Sequence, residues 1–125
     1  RTDGKTVALP KVTRQDGPLS FFKVEKRNQA WPLEAGKFGV QEPNGACPIF
    51  PHDQLELILV PALAISKTGD RLGWGGGFYD RTLPLMSGAK KLALIFDCQI
   101  IESVPTGPGD HPVDGWVSES GVVLL

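Results

Sequence analysis

Two apolar runs, separated by a glycine-rich stretch, constrain the fold of this chain more than any other feature. Residues 57–65 (LILVPALAI) and residues 92–96 (LALIF) show no polar alternation, which is typical of strands that are covered on both faces. We therefore predict that residues 57–65 form a central strand of a parallel sheet. Between the two runs, residues 69–77 contain five glycines, which predicts a loop.

Residues 78–86 are predicted to form a short helix that follows this loop. Tyr79, Leu83 and Met86 have the i, i+4, i+7 spacing of one helix face. Pro84 is expected to kink or end the helix. The order of strand, glycine loop, helix and strand predicts a right-handed crossover in an α/β sheet that carries helices on its faces.

Three further strands are predicted towards the two ends of the chain, at residues 6–9, 19–24 and 122–125, from their content of β-prone residues. Residues 31–53 contain four prolines and three glycines and have no regular period. They are predicted to form a long ordered loop, and loops of that length are often functional. Together these segments predict one α/β domain over residues 1–125.

The composition excludes several classes of protein. The chain has 125 residues, of which 13 are Lys or Arg and 14 are Asp or Glu, so its net charge is −1. Such a balance does not favour binding to nucleic acid, and the longest apolar run is far shorter than the roughly 20 residues of a membrane span. Cys47 and Cys98 lack the spacing of a zinc site, and no signal peptide opens the chain. A reducing, cytoplasmic location is expected.

Residues 71–80, RLGWGGGFYD, carry the most information about function. Three consecutive glycines expose backbone N–H groups, and a helix that starts after them adds further unpaired N–H groups. Arg71 can add a planar, permanently charged donor, and Asp80 can bind a Mg²⁺ ion that bridges phosphate oxygens. Ligands of α/β sheets bind where the strands end, here at residues 64–79, so we predict a phosphate site.

Known phosphate motifs do not match this stretch. A Walker loop needs Lys followed by Ser or Thr after the glycines, whereas Lys67 and Thr68 precede them. The dinucleotide-binding fingerprint needs a third glycine where Phe78 stands. The glycines taken alone also fit a tight turn between strand and helix, with the carboxylate of Asp80 at the start of the helix.

The stretch resembles the hallmark of a known family, the 5-formyltetrahydrofolate cyclo-ligases, also called 5,10-methenyltetrahydrofolate synthetases. Residues 60–64 (VPALA) and 71–80 match the family pattern V-P-[AG]-L-A followed by R-x-G-x-G-x-G-[YF]-Y-D. Residues 36–43 (GKFGVQEP), 5–12 (KTVALPKV) and 110–114 (DHPVD) are similar to three further family elements. The resemblance covers essentially the whole chain in order.

The resemblance implies a three-layer α/β/α fold with a mostly parallel central sheet, of the cyclo-ligase (NagB/RpiA/CoA transferase-like) type. It also implies an activity: the ATP- and Mg²⁺-dependent conversion of 5-formyltetrahydrofolate to 5,10-methenyltetrahydrofolate, with release of ADP and phosphate. Small molecules, 5-formyltetrahydrofolate and ATP, are then the partners, without nucleic acid or membrane, and the protein is expected to be a monomer.

The resemblance also implies roles for single residues. Arg71 is expected to be catalytic, Asp80 and Asp110 to bind Mg²⁺, and Phe38, Phe78 and Tyr79 to bind the folate. The residues expected to bind ATP are Arg71, Leu72, Gly73, Trp74, Gly75, Gly76, Gly77, Phe78 and Tyr79. From residue type alone, Phe38 and Tyr79 also fit a packed core, and Asp110 fits a turn.

Two alternatives to an enzyme stay open at this point. The chain starts with Arg1 and is shorter than the roughly 180–200 residues usual in the family, a normal size for one domain. An N-terminal piece that supplies an ATP contact is therefore expected to be missing. A catalytically silent member that binds nucleotide or folate is one alternative, and an interaction domain whose glycine loop is only a turn is the other.

Overall fold

The computed structural model describes residues 4–36 and 39–125, which form short strands and one helix. In chain order the elements are β1 (Val7–Lys11), β2 (Ser20–Val24), β3 (Leu33–Ala35), β4 (Gln41–Pro43), β5 (Ile49–Phe50), β6 (Leu57–Pro61), β7 (Ala64–Ser66), β8 (Arg71–Leu72), α1 (Phe78–Thr82), β9 (Lys90–Leu94), β10 (Ile100–Ile101), β11 (Gly115–Ser118) and β12 (Gly121–Leu124).

The two apolar runs pair as parallel neighbours, as predicted. Strands β6 and β9 lie side by side with Val60 opposite Ala93, and β9 is also parallel to β11. The hairpin partner β12 completes a four-stranded sheet of order β12-β11-β9-β6. Smaller sheets of order β1-β2-β5, β10-β7-β8 and β3-β4 surround it. The fold is therefore α/β with mixed sheets.

The prediction of one central strand over residues 57–65 was wrong. The run divides into β6 and β7, and β6 lies at the edge of its sheet within the described part of the chain. Leu57 and Leu59 are 53% and 50% exposed, whereas Ile58 and Val60 are buried. An unbroken apolar sequence hid this alternation because leucine stands on the exposed face of the strand.

Strand β1 ends two residues later than predicted, and the predicted loop that follows the hairpin contains strands. Strand β1 continues through Pro10 to Lys11, which the edge position of β1 allows, since no neighbour needs a donor from Pro10 on its outer side. Residues 31–53 include β3, β4 and β5, so this segment is not only a loop. Strands of two or three residues fall below what a periodic pattern can reveal.

The helix after the glycine loop is confirmed, but it is short. The α-helical part ends at Thr82, and a 3-10 turn over Leu83–Leu85 follows, with Pro84 inside that turn. Leu83 and Met86 are completely buried in the core. The Thr82 hydroxyl oxygen accepts a hydrogen bond at 2.8 Å from the backbone N–H of Leu19, just before β2, and so ties the helix to the hairpin.

The C-terminal strands differ in detail from the prediction. Strand β9 begins two residues earlier than the run at 92–96, where Lys90 and Lys91 pair with Leu57 and Ile58. Lys91 is buried, and its ammonium group donates to the carbonyls of Met86 and Ala89 at 3.0 and 3.1 Å. Strand β12 confirms the last predicted strand with a shift of one residue. Strand β11 was not predicted, and no helix in the described residues is long and apolar enough to span a membrane.

Candidate active site

Arg71 lies at the centre of the site, at the start of β8. Only 4% of its side chain is exposed. One terminal nitrogen, Nη1, donates to the Pro61 carbonyl at 2.9 Å, and the other, Nη2, lies 3.7 Å from a carboxylate oxygen of Asp80. The guanidinium carbon is 5.5 Å from the centre of the Tyr79 ring. Protein contacts thus fix this cation before any ligand binds.

The Nε atom of Arg71 is buried and has no hydrogen-bond partner. Buried donors are nearly always satisfied, because an unpaired one costs about 1–3 kcal/mol. An unpaired N–H on a fixed guanidinium group, next to two cavities, is the kind of donor that an anionic ligand satisfies. This atom is the one unsatisfied side-chain donor or acceptor found among the buried atoms of the described residues.

The glycines around Arg71 serve different purposes. A Cβ atom on Gly73 would lie 2.8 Å from Nη1 of Arg71, so the missing side chain makes room for the guanidinium group. Gly75 has a φ of +96° and open space around it, and Gly77 has a φ of +74°. Both are in the left-handed region, which glycine adopts without strain. The predicted loop over residues 69–77 is confirmed for residues 73–77, whereas Arg71 and Leu72, inside the predicted range, form β8.

Two cavities share this loop as a wall. The larger one, about 730 Å³, is the apolar cleft, and the smaller one, about 310 Å³, is the polar cavity. Arg71, Trp74 and Gly77 line both. The apolar cleft is completed by Val12, Gln15, Leu19, Val40, Glu42, Gly76, Phe78 and Tyr79, and the polar cavity by Leu72, Gly73, Gly75, Asp80, Pro105 and Asp110.

The structure therefore divides the residues that were expected to bind ATP between two faces. Leu72, Gly73 and Gly75 face the polar cavity, while Phe78 and Tyr79 face the apolar cleft. Gly76 also lines the cleft. Trp74, 77% exposed, stands between the two cavities. Helix α1 has only five residues, so the backbone of the loop and Arg71 are the main groups that could hold an anion.

Two of the aromatic residues in the cleft wall, Phe78 and Tyr79, pack against arginine side chains. Tyr79 is partly buried, and burial raises the pKa of its phenol, although the nearby positive charge of Arg71 lowers it. The phenol therefore stays protonated near neutral pH and can donate a hydrogen bond. The ring of Phe78 packs against the guanidinium group of Arg81 at 4.9 Å. Phe38, the third residue expected at the folate, lies outside the described residues.

Asp80 and Asp110, which were predicted to bind Mg²⁺, line the same polar cavity. One oxygen of Asp80 accepts a hydrogen bond from the backbone N–H of His111 at 3.2 Å and faces Arg71. One oxygen of Asp110 accepts from the N–H of Gly107 at 2.8 Å, which also makes Asp110 a turn residue. The described residues contain no group of three or more His, Cys, Asp or Glu that could hold a metal ion.

Sequence reasoning missed the far wall of the apolar cleft. Val12, Leu19 and Glu42 line it, and one oxygen of Glu42 accepts a hydrogen bond from the Val12 N–H at 3.3 Å. A Cβ atom on Gly36 would lie 1.9 Å from the other oxygen of Glu42, so glycine at that position leaves room for the carboxylate. The motif at residues 36–43 contains both residues, but their contact depends on the antiparallel pairing of β3 with β4, which places Ala35 opposite Gln41.

Comparison with known proteins bears on the identity of this site. The sequence profile of the 5-formyltetrahydrofolate cyclo-ligase family matches residues 1–119. The chain belongs to this family. Curated relatives include the 5-formyltetrahydrofolate cyclo-ligase of Mycolicibacterium smegmatis, 40% identical over 116 residues, and that of Escherichia coli K12, 32% identical over 123 residues. These alignments cover 86% and 95% of this chain, and 56% and 66% of the relatives.

Solved structures agree with the family assignment. The NMR structure of the 5,10-methenyltetrahydrofolate synthetase of Aquifex aeolicus has a TM-score of 0.80 and is 32% identical, with 96% of this chain and 58% of that chain covered. The synthetase of Mycoplasma pneumoniae, 23% identical with a TM-score of 0.62 over 87% of this chain and 53% of that chain, shares the fold. The chain thus spans roughly half to two thirds of the length of these relatives.

Proposed function

We propose that this chain supplies the ATP and folate sites for the conversion of 5-formyltetrahydrofolate to 5,10-methenyltetrahydrofolate, with conversion of ATP to ADP and phosphate. One observation carries the proposal: an apolar cleft and a polar cavity share a wall that contains the buried guanidinium group of Arg71. The reaction needs the ring system of the folate and a triphosphate to meet at one point, and this wall is such a point.

The polar cavity is the proposed site of the triphosphate. Arg71 would donate its unpaired Nε–H to a phosphate oxygen, and the backbone of residues 73–77 would approach the phosphates closely because side chains are absent at four of these five positions. A fixed cation at the transferring phosphoryl group lowers the cost of the charge that develops there, without reorganisation at the moment of reaction. Arg71 is the proposed catalytic residue for this reason.

Asp80 and Asp110 are the proposed Mg²⁺ ligands, directly or through water. The donor set fits, since Mg²⁺ in phosphate sites usually binds one or two carboxylates together with phosphate oxygens and water. Only one carboxylate oxygen of each aspartate accepts a described hydrogen bond, so the second oxygen of each could bind the ion. When bound, the ion would neutralise phosphate charge; the protein's part is to place two carboxylates beside Arg71.

The apolar cleft is the proposed folate site. The rings of Phe78 and Tyr79 form one wall, and aromatic faces suit a flat pterin. The protonated Tyr79 phenol and the Glu42 carboxylate are two polar groups of the cleft lining that could orient the ring. Phe38 stays a prediction for the same pocket, since it lies outside the described residues.

The chemistry follows from the weakness of the formyl oxygen as a leaving group. That oxygen attacks the γ-phosphorus of ATP, and the bond to ADP breaks. The neighbouring folate nitrogen then attacks the activated formyl carbon and loses its proton, and phosphate leaves with the oxygen. The protein needs to hold and orient the two substrates and to exclude water, rather than to supply a nucleophile.

Formation of methenyltetrahydrofolate, followed by its near-ultraviolet absorbance, tests the proposal directly. We expect absorbance to rise only when 5-formyltetrahydrofolate, ATP and Mg²⁺ are all present. No rise, together with calorimetric binding of either ligand, would support a silent binding member instead. Absence of any effect of ATP or folate on the melting temperature would overturn both the enzyme and the silent member.

The three-layer arrangement and the monomeric state also stay proposals. Light scattering on the purified chain tests the monomeric state.

A further inference from the structure

Arg81, on the outer side of α1, connects two segments that are far apart in sequence. Its Nε atom donates to the Gly17 carbonyl at 3.0 Å, and Nη1 donates to the Gly76 carbonyl at 3.0 Å. A longer contact of 3.5 Å joins Nη2 to the Gln15 carbonyl. One guanidinium group thus joins the glycine loop to the turn between β1 and β2. Its partners in that turn lie 64 and 66 residues away in the sequence.

Both of the bridged segments contribute residues to the lining of the apolar cleft. Gln15 lines the cleft on the hairpin side, and Gly76 and Phe78 line it on the loop side. The Phe78 ring packs on the same guanidinium group, at 4.9 Å from ring centre to guanidinium carbon. The three hydrogen bonds that Arg81 donates all go to backbone carbonyls, so this side chain holds the main chain of both segments in position.

Gly77 has a role that follows from this bridge. A Cβ atom at residue 77 would lie 2.6 Å from Nη1 of Arg81, closer than real Cβ contacts. The absence of a side chain there leaves room for the Arg81 guanidinium group, in addition to the left-handed φ of +74° that Gly77 adopts. The interpretation of Gly77 only as space for phosphate therefore needs to be extended.

We propose that Arg81 is a positioning residue that sets the width of the apolar cleft by tying the glycine loop to the turn between β1 and β2. The role rests on the proposed function, in which the cleft takes the folate. Arg81 itself lines neither cavity, but Gln15 and Gly76, whose carbonyls it binds, line the apolar cleft and not the polar cavity. Its loss should therefore act on folate binding more than on ATP binding, whereas an arginine that only stabilises α1 would affect the two ligands alike.

The first experiment measures the two ligands separately in Arg81→Ala and Arg81→Lys. Calorimetry gives the Kd of 5-formyltetrahydrofolate and of MgATP for the whole chain, below the melting temperature of each variant. We expect Arg81→Ala to weaken folate binding about tenfold and MgATP binding less than threefold, since small displacements of a binding wall have effects of this size or larger. Arg81→Lys, which can reach one carbonyl but not three, should recover only part of the loss.

Arg14→Ala is the matched control, because Arg14 lies near the same turn but is 73% exposed and pairs with the equally exposed Asp16, at 3.5 Å. It should leave both affinities unchanged. Equal losses for the two ligands in Arg81→Ala, or no loss for either, would overturn the positioning role. If the parent chain does not bind 5-formyltetrahydrofolate at all, the proposed function fails and the positioning role is withdrawn with it.

A second experiment needs no ligand and tests the bridge itself. Gly77→Ala is made in the parent and in the Arg81→Ala background, and the melting temperatures of all four proteins are compared. We expect the added methyl group to lower the melting temperature more in the parent, where it meets the guanidinium group, than in Arg81→Ala, where only the backbone strain remains. Equal decreases in both backgrounds would show that Gly77 and Arg81 are independent and would overturn the bridge.

Discussion

Arg71→Lys separates the catalytic part of the proposal from a structural one. The substitution keeps a positive charge but replaces a planar group that has several fixed donors with one ammonium group. Lysine can reach the Pro61 carbonyl or approach Asp80, but it cannot reproduce both contacts and also present a donor at the position of Nε. The charge is retained, so any loss reports on geometry.

The expected effect on stability is small because two terms oppose each other. Loss of one hydrogen bond from a charged group costs about 1.5–3 kcal/mol, but the substitution also removes a buried donor whose unpaired state costs about 1–3 kcal/mol. The Nε atom of Arg71 is that donor. We therefore expect the free energy of unfolding to change by about 1 kcal/mol or less. Removal of one preorganised donor from a transition state costs more, about 10²–10³-fold in turnover.

The assay combines urea unfolding, followed by tryptophan fluorescence, with the near-ultraviolet absorbance of the methenyl product at saturating substrate. Arg14→Lys is the control, since Arg14 is 73% exposed, and it should change unfolding by less than about 0.5 kcal/mol and leave turnover unchanged. A loss of turnover below about threefold in Arg71→Lys, with normal folding, would refute the catalytic role. A loss of about 3 kcal/mol or more in stability would show instead that Arg71 mainly holds the fold.

Two further predictions test other parts of the site, and a third tests a hydrogen-bonded carboxylate outside it. Asp80→Asn should raise the Mg²⁺ concentration needed for half-maximal turnover, and an unchanged Mg²⁺ titration would contradict the metal role. The same substitution should destabilise the free protein by about 1 kcal/mol, because the carboxylate faces Arg71 at 3.7 Å and is only 28% exposed. Tyr79 is the only tyrosine of the chain, so the phenolate absorbance reports on it alone. We expect its pKa to lie above 10.0. The stability gained from the neutral phenol should then be lost as the pH rises through that higher value. Removal of the Arg71 charge by Arg71→Met should raise this pKa further, and a fall would show that the charge does not act on the phenol. Hydrogen bonds from the hydroxyls of Ser118 and Ser120 lower the pKa of Asp97 below 3.8. This carboxylate therefore stabilises the fold above that pH and loses its effect as the pH falls through the folded-state pKa. Ser118→Ala should weaken this acid dependence, and identical curves of melting temperature against pH for parent and variant, between about pH 2 and pH 6, would contradict it.

Local patterns carried much of the information about this chain. The order of strand, glycine loop, helix and strand was readable because apolar runs, glycine content and helical spacing depend on neighbours in sequence. Pro84 marked the end of the helix for the same reason, since a proline acts on its own turn. The motif at residues 71–80 identified the family, and the sequence profile over residues 1–119 confirmed it.

The layout of the site depended on contacts that no local pattern records. The edge position of β6 follows from which strands pair, and the exposed faces of Leu57 and Leu59 could not be read from an unbroken run of apolar residues. The division of the glycine loop between two cavities follows from the packing of the hairpin and of Asp110 around it. Arg81 lies directly after the motif, but its partners on the hairpin are 64 and 66 residues away. Only the tertiary structure brings those carbonyls within hydrogen-bond distance, because a side chain of that length binds whatever the fold places beside it.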